Sequence, residues 1–123
     1  MIQTTTKIDR RKVKLLNDIT ELERISKIIS ESTGITVDEM KDRTRKEEIR
    51  IARHVAMWFC DASNCASVKF IGHFFHRDHS TIINAREKIE EYYQTNNQFR
   101  KNMNILCELV NPSLKPKLEG LIK

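Results

Sequence analysis

The stretch "HRDHSTIINA", residues 76–85, decides how this chain is read. Five hydrogen-bonding side chains, Arg77 to Thr81, stand side by side, and the apolar Ile82 and Ile83 follow at once. Asp78 is a good N-cap residue. After it, Ile82, Ala85, Ile89 and the Tyr92/Tyr93 pair recur at helical spacing, so a helix is expected from Asp78 to about Tyr93. Upstream, Ser67 caps a short helix over 68–75 that carries Val68, Ile71, Phe74 and Phe75, and His76 and Arg77 form the turn between the two. A short helix, a tight turn and a longer helix make a helix-turn-helix. The second helix of that arrangement enters the major groove N-terminus first, which is where the polar cluster stands.

Each residue of the cluster has a chemical use there. Asp78 can accept from a cytosine amino group. His79, Ser80 and Thr81 are short donors and acceptors, and Thr81 adds a methyl for thymine. Asn84, one turn beyond Ser80, can reach a base edge or a phosphate. Arg77 suits a phosphate or a guanine. A hydrolase-like reading of Asp78, His79 and Ser80 fails, because neighbours on a helix point in different directions and cannot form a relay. His73, His76 and His79 with Cys60 and Cys65 match no tight zinc pattern.

Composition agrees with a helical fold. Only 3 Gly and 2 Pro occur in 123 residues, too few turn residues for a many-stranded sandwich. Apolar runs are too short for a membrane span, no secretory h-region opens the chain, and three irregularly spaced cysteines are no disulfide framework. A cytoplasmic, nucleoid-associated protein is expected, with no membrane partner. The net charge is +5. Residues 41–86 alone carry nine basic against five acidic side chains, between acidic flanks, which marks a phosphate-facing centre.

Outward from the motif, residues 1–18 read as a basic arm, with a short helix around Val13–Leu16. Residues 19–111 read as the domain and 112–123 as a frayed tail marked by Pro112 and Pro116. Thr20 and Glu23 form a capping box for a helix over 21–33, which Gly34 stops, and Thr36 with Glu39 forms a second box. Helix 47–61 has an apolar face of Ile49, Ala52, Val55, Ala56 and Phe59, and a second face of Arg50, Arg53, His54 and Met57. Asn64 lies in a turn at 62–66, and a last helix spans about 97–110. Trp58, Phe74 and Phe75 are expected in the core, and Gly72 is expected to allow close helix approach.

"FIGHFFHRDHSTIINA" resembles the signature of the C-terminal, DNA-binding domain of the bacterial replication initiator DnaA, close to I-G-x-x-F-G-G-R-D-H-[ST]-T-V-x-x-A. "TRKEEIRIARHVAMWF", 44–59, is similar to that domain's basic loop and next helix, and "GITVDEMK" to its preceding short helix. The resemblance covers about residues 20–95. It implies an all-α, Trp-repressor-like helix-turn-helix domain of five to six helices that binds double-stranded DNA and has no catalytic role. Arg45, flanked by Arg43 and Lys46, matches the minor-groove arginine. Arg53 and His54 match an Arg-Gln pair that contacts the site, with His54 where Gln is usual. Asp78, His79, Ser80 and Thr81 match the major-groove readers. One residue, His76, stands where two glycines are usual. With Gly only at 34, 72 and 120, the phosphate-cradling loop of the initiator's ATPase domain is absent, so no nucleotide or other cofactor is expected.

The expected function is sequence-specific DNA binding in replication control or transcription, with other replication or regulatory proteins as further partners. The alternative is a helical protein-interaction module derived from such a domain. Structured RNA is a poorer partner, because a helix cannot read the deep, narrow major groove of A-form RNA.

Overall fold

A computed structural model describes residues 10–122 of the chain. Among these, seven α-helices and one 3-10 turn occur, with no strand. The helices are α1 (Arg10–Thr33), α2 (Val37–Lys41), α3 (Glu47–Ala62), α4 (Val68–Phe74), α5 (His79–Thr95), α6 (Asn97–Val110) and α7 (Lys115–Glu119). The 3-10 turn, Pro112–Leu114, joins the last two.

The helix boundaries follow from local chemistry. Gly34 ends α1 in the left-handed region at φ 77°. Thr36 and Glu39 form a reciprocal capping box over α2, with bonds of 3.0 and 2.9 Å. The Thr36 backbone N–H donated to Glu39, together with the Thr36 hydroxyl, holds its carboxyl below the usual range. Ser67 caps α4 by accepting from the Phe70 N–H at 3.1 Å, and Asn96 caps α6 by accepting from the Phe99 N–H at 3.0 Å. No side chain caps α3, but Glu47 and Glu48 lie in its first turn, where carboxylates complement the helix dipole.

Helix α3 is the hub. Every residue from Ala52 to Cys60 is buried, because α1 and α5 both pack on it while α2 and α4 cover the remaining sides. Around it the core takes Leu22, Ile25 and Ile29 from α1, and Ile82, Ala85, Ile89 and Tyr93 from α5. Met103, Leu106 and Val110 of α6 complete that face. Trp58 and Phe75 are core residues as expected, whereas Phe74 is only partly covered.

Two expectations about the ends do not match. Helix α1 starts at Arg10 and passes Thr20 without a break, so the expected capping box is absent. The Thr20 hydroxyl instead donates back to the Leu16 carbonyl at 2.8 Å. The segment after Pro112 is not frayed. Leu114 and Leu118 are buried in the core, Lys117 donates to the Ala62 carbonyl at 2.6 Å, and Gln94 donates to the Leu121 carbonyl at 2.7 Å. Both prolines sit in the first turn of their helical pieces, where a missing N–H costs nothing. The part of the expected arm before residue 10 lies outside the described residues.

Candidate nucleic-acid interface

Helices α4 and α5 meet across a turn of four residues, Phe75 to Asp78. His76 takes φ 57°, the left-handed conformation that glycine adopts without strain, and it does so where the resembling family carries glycine. The turn folds back tightly. The Arg77 N–H donates to the Gly72 carbonyl at 2.7 Å. A Cβ at Gly72 would lie 2.8 Å from the Arg77 carbonyl oxygen and 3.3 Å from the His79 nitrogen. Only glycine lets the two helices approach this closely.

At the start of α5, His79 and Ser80 are exposed, Thr81 is half-buried, and Asn84 is exposed one turn on. Asp78 occupies the N-cap position with extended backbone, but its carboxylate does not cap. It pairs instead with His79 Nδ1 at 3.0 Å. The expected side-chain cap is therefore missing, and the Thr81 N–H donates to the Asp78 carbonyl at 2.9 Å instead. Beside the cluster lies an open groove of about 540 Å³ whose wall includes Lys69 and His73 of α4 and Arg77, Asp78 and His79.

The connection 42–46 carries Arg43, Arg45 and Lys46, all exposed. Two guanidinium groups anchor its base. Arg53 donates to the carbonyls of Met40 and Asp42, the latter at 2.9 Å. Arg77 donates to the Asp42 carbonyl and reaches those of Lys41, Phe75 and His76 at 3.5, 3.3 and 3.1 Å. These carbonyls belong to the C-terminal end of α2 and to the helix-turn-helix turn. Arg77 thus ties the basic connection to the start of α5, and the two sets of exposed residues become neighbours.

The second face expected on α3 is not a surface. Arg53, His54 and Met57 are buried, and only Arg50 is exposed. Their burial follows from α3 being enclosed on all sides, which periodicity along one helix does not reveal. Burial, reinforced by Arg53 and Arg50, pushes the His54 pKa down to about 4. The ring is therefore neutral near neutral pH. Lys88, one turn beyond Asn84 on α5, is exposed and shares a small cleft with Arg50, His54 and Asn84. It was not among the expected contacts. Its spacing of four from Asn84 on the reading helix is the signal that could have found it.

The depressed His54 pKa has a testable consequence. An unfolded histidine binds a proton near pH 6.5, whereas His54 in the fold does so only near pH 4, so the unfolded state holds more protons in between. Stability should therefore be full above pH 6.5 and fall as pH drops toward 4, by at most about 3 kcal/mol from this group. Replacing His54→Gln should flatten that part of the profile, measured by urea unfolding between pH 7 and 4. An unchanged slope would show that His54 does not titrate with folding.

Two guanidinium groups hold α5 from behind. Arg86 grips Asp61 at the end of α3 with a bidentate pair at 2.6 and 2.9 Å. Arg100 donates to the carbonyls of Tyr93 and Gln94 at 2.9 and 3.0 Å, capping the far end of α5. The exposed first turns of α5 are thus carried on a rigid support. No helix of the described residues is long and apolar enough to cross a membrane.

The bacterial DnaA protein helix-turn-helix model matches residues 22–89, which include α2 to α4, the second half of α1 and the front two-thirds of α5. Among known proteins, the chain is 37% identical over 83 residues to the chromosomal replication initiator protein DnaA of Chlorobaculum tepidum, covering 67% of this chain and 17% of that protein. It is 35% identical over 89 residues to the same protein of Mycoplasma capricolum, covering 72% and 20%. For that of Spiroplasma citri the figures are 32% over 98 residues, 79% and 20%. The chain thus corresponds to no more than a fifth of the length of these relatives. The helix-turn-helix signature and the basic connection are brought together in the helical domain of the described residues, and the chain belongs to the family of the bacterial DnaA C-terminal helix-turn-helix.

Proposed function

We propose that this protein binds double-stranded DNA sequence-specifically, with the first turns of α5 in the major groove and the Arg43–Lys46 connection in the adjacent minor groove. The observation that carries the reading is the Arg77 bridge to Asp42, which joins two exposed polar elements of different chemistry. One is a row of short side chains suited to base edges. The other is a cluster of cations suited to a narrow, electronegative minor groove.

Asp78 tunes the reader. Its carboxylate lies 3.0 Å from Nδ1 of His79 and orients the exposed ring. A carboxylate acceptor beside an imidazole in the major groove suits the amino group of adenine or cytosine. Ser80 and Asn84 extend the same exposed strip. The uncapped N–H groups at the start of α5 suit a phosphate. Arg50 beside the helix and Lys88 further along it suit more phosphates. Arg53 and His54 act from within, by holding the loop and filling the core. The relatives are chromosomal replication initiators, which favours a role in replication control for this chain too.

Two substitutions separate the roles. On sites enriched from a random duplex pool, His79→Ala should lose discrimination worth roughly 1–3 kcal/mol while keeping most of its affinity for unrelated duplexes. Arg45→Ala should weaken binding to all duplexes alike. Failure of the pool to enrich any sequence would leave the protein-interaction reading as the better one.

A further inference from the structure

The first twelve residues of α1 contain no buried side chain, and burial begins at Leu22. Residues 10–17 are all exposed, so the helix projects roughly 12 Å beyond the domain at 1.5 Å per residue, and the whole twelve-residue segment precedes the family match. It is not uniformly polar. Leu16 is 63% exposed and Leu15 47%, with Ile19 half-buried beside them. Lys12, Leu16, Ile19 and Glu23 step by four, three and four residues, the spacing of a coiled-coil seam. The charges are segregated. Residues 10–14 hold Arg10, Arg11, Lys12 and Lys14, whereas residues 18–23 hold Asp18, Glu21 and Glu23.

We propose that this projecting seam pairs antiparallel with the same seam of a second copy, about a two-fold axis between residues 17 and 18. In that register Lys12 faces Glu23 of the second copy, Leu16 faces its Ile19, and Leu15 flanks the contact. The interface is isologous, so each pairing occurs twice. A parallel arrangement would set Lys12 against Lys12 and Glu23 against Glu23, and like charges select against it. Competing ion pairs do not consume the seam: Asp18 pairs with Lys14 at 2.9 Å and Glu21 with Arg24 at 2.9 Å, both within one helix. Lys12 and Glu23 are both exposed. The seam is short, so the dimer is weak and concentration-dependent.

Sedimentation equilibrium of the whole chain over a concentration series tests this. The average mass should climb from that of one 14.5 kDa chain toward twice that value. Lys12→Glu and Glu23→Lys should each weaken association by roughly tenfold or more, and the charge-swapped double variant should restore it. Leu16→Glu should keep the chain monomeric. Both charged positions lie outside the core, and matching circular dichroism spectra would verify folding. Mass that stays at one chain throughout would overturn the proposal. So would association indifferent to the single changes, or a double variant that fails to recover.

Discussion

Gly72→Val should lower the stability of this chain by about 3 kcal/mol, at the upper end of what overpacking usually costs. The reason is geometric. A Cβ at Gly72 already falls 2.8 Å from the Arg77 carbonyl oxygen and 3.3 Å from the Asp78 carbonyl carbon, and both are backbone atoms that cannot swing aside. The turn must open, and the Arg77 N–H bond to the Gly72 carbonyl at 2.7 Å goes with it. For a domain of this size the melting temperature should drop by roughly 10 °C. DNA discrimination should suffer too, because the start of α5 is displaced along with the turn. A variant that melts and binds like the parent would mean that α4 and α5 do not meet this closely.

Arg77→Met should uncouple the two halves of the proposed interface. Methionine keeps much of the stem's packing and removes every donor. The Asp42 carbonyl keeps its bond from Arg53 at 2.9 Å, so the chain should fold. What disappears is the link from the turn to the loop. Affinity for an enriched duplex should fall roughly tenfold or more. Combining Arg77→Met with Arg45→Ala should then cost much less than the sum of the two, with a coupling of about 0.5–3 kcal/mol. Strict additivity in that cycle would instead make Arg77 an independent DNA contact, the role its position in the sequence first suggested.

The difference between those two roles for Arg77 shows where the sequence stops being legible. The reading head was visible because it is local. A capping pattern, a short turn and a periodic helix all fall within 67–93, and Ser67, Gly72, His76 and Ile82 each act through near neighbours. The capping box at Thr36 was legible for the same reason. What failed was long-range or conditional. Arg53 and His54 look like surface residues on a helical wheel, yet α3 is enclosed by four other helices and has almost no outer face. The carbonyls at the end of α2 that Arg53 and Arg77 satisfy are 11 to 36 residues away in sequence. Thr20 and Glu23 have capping chemistry, but a favourable helix on both sides of them absorbs the signal. Pro112 and Pro116 mark a chain that leaves α6, and only the burial of Leu114 and Leu118 shows that it returns.

In the proposed binding mode one protein face reads two neighbouring grooves, with α5 on one side and the 42–46 connection on the other. Methylation interference on an enriched duplex tests it most directly, because dimethyl sulfate marks guanine N7 in the major groove and adenine N3 in the minor groove. The expected result is two adjacent blocks of interference, one in each groove, with Arg45→Ala erasing the minor-groove block and leaving the major-groove block in place. Interference confined to a single groove, or a pattern untouched by Arg45→Ala, would contradict it.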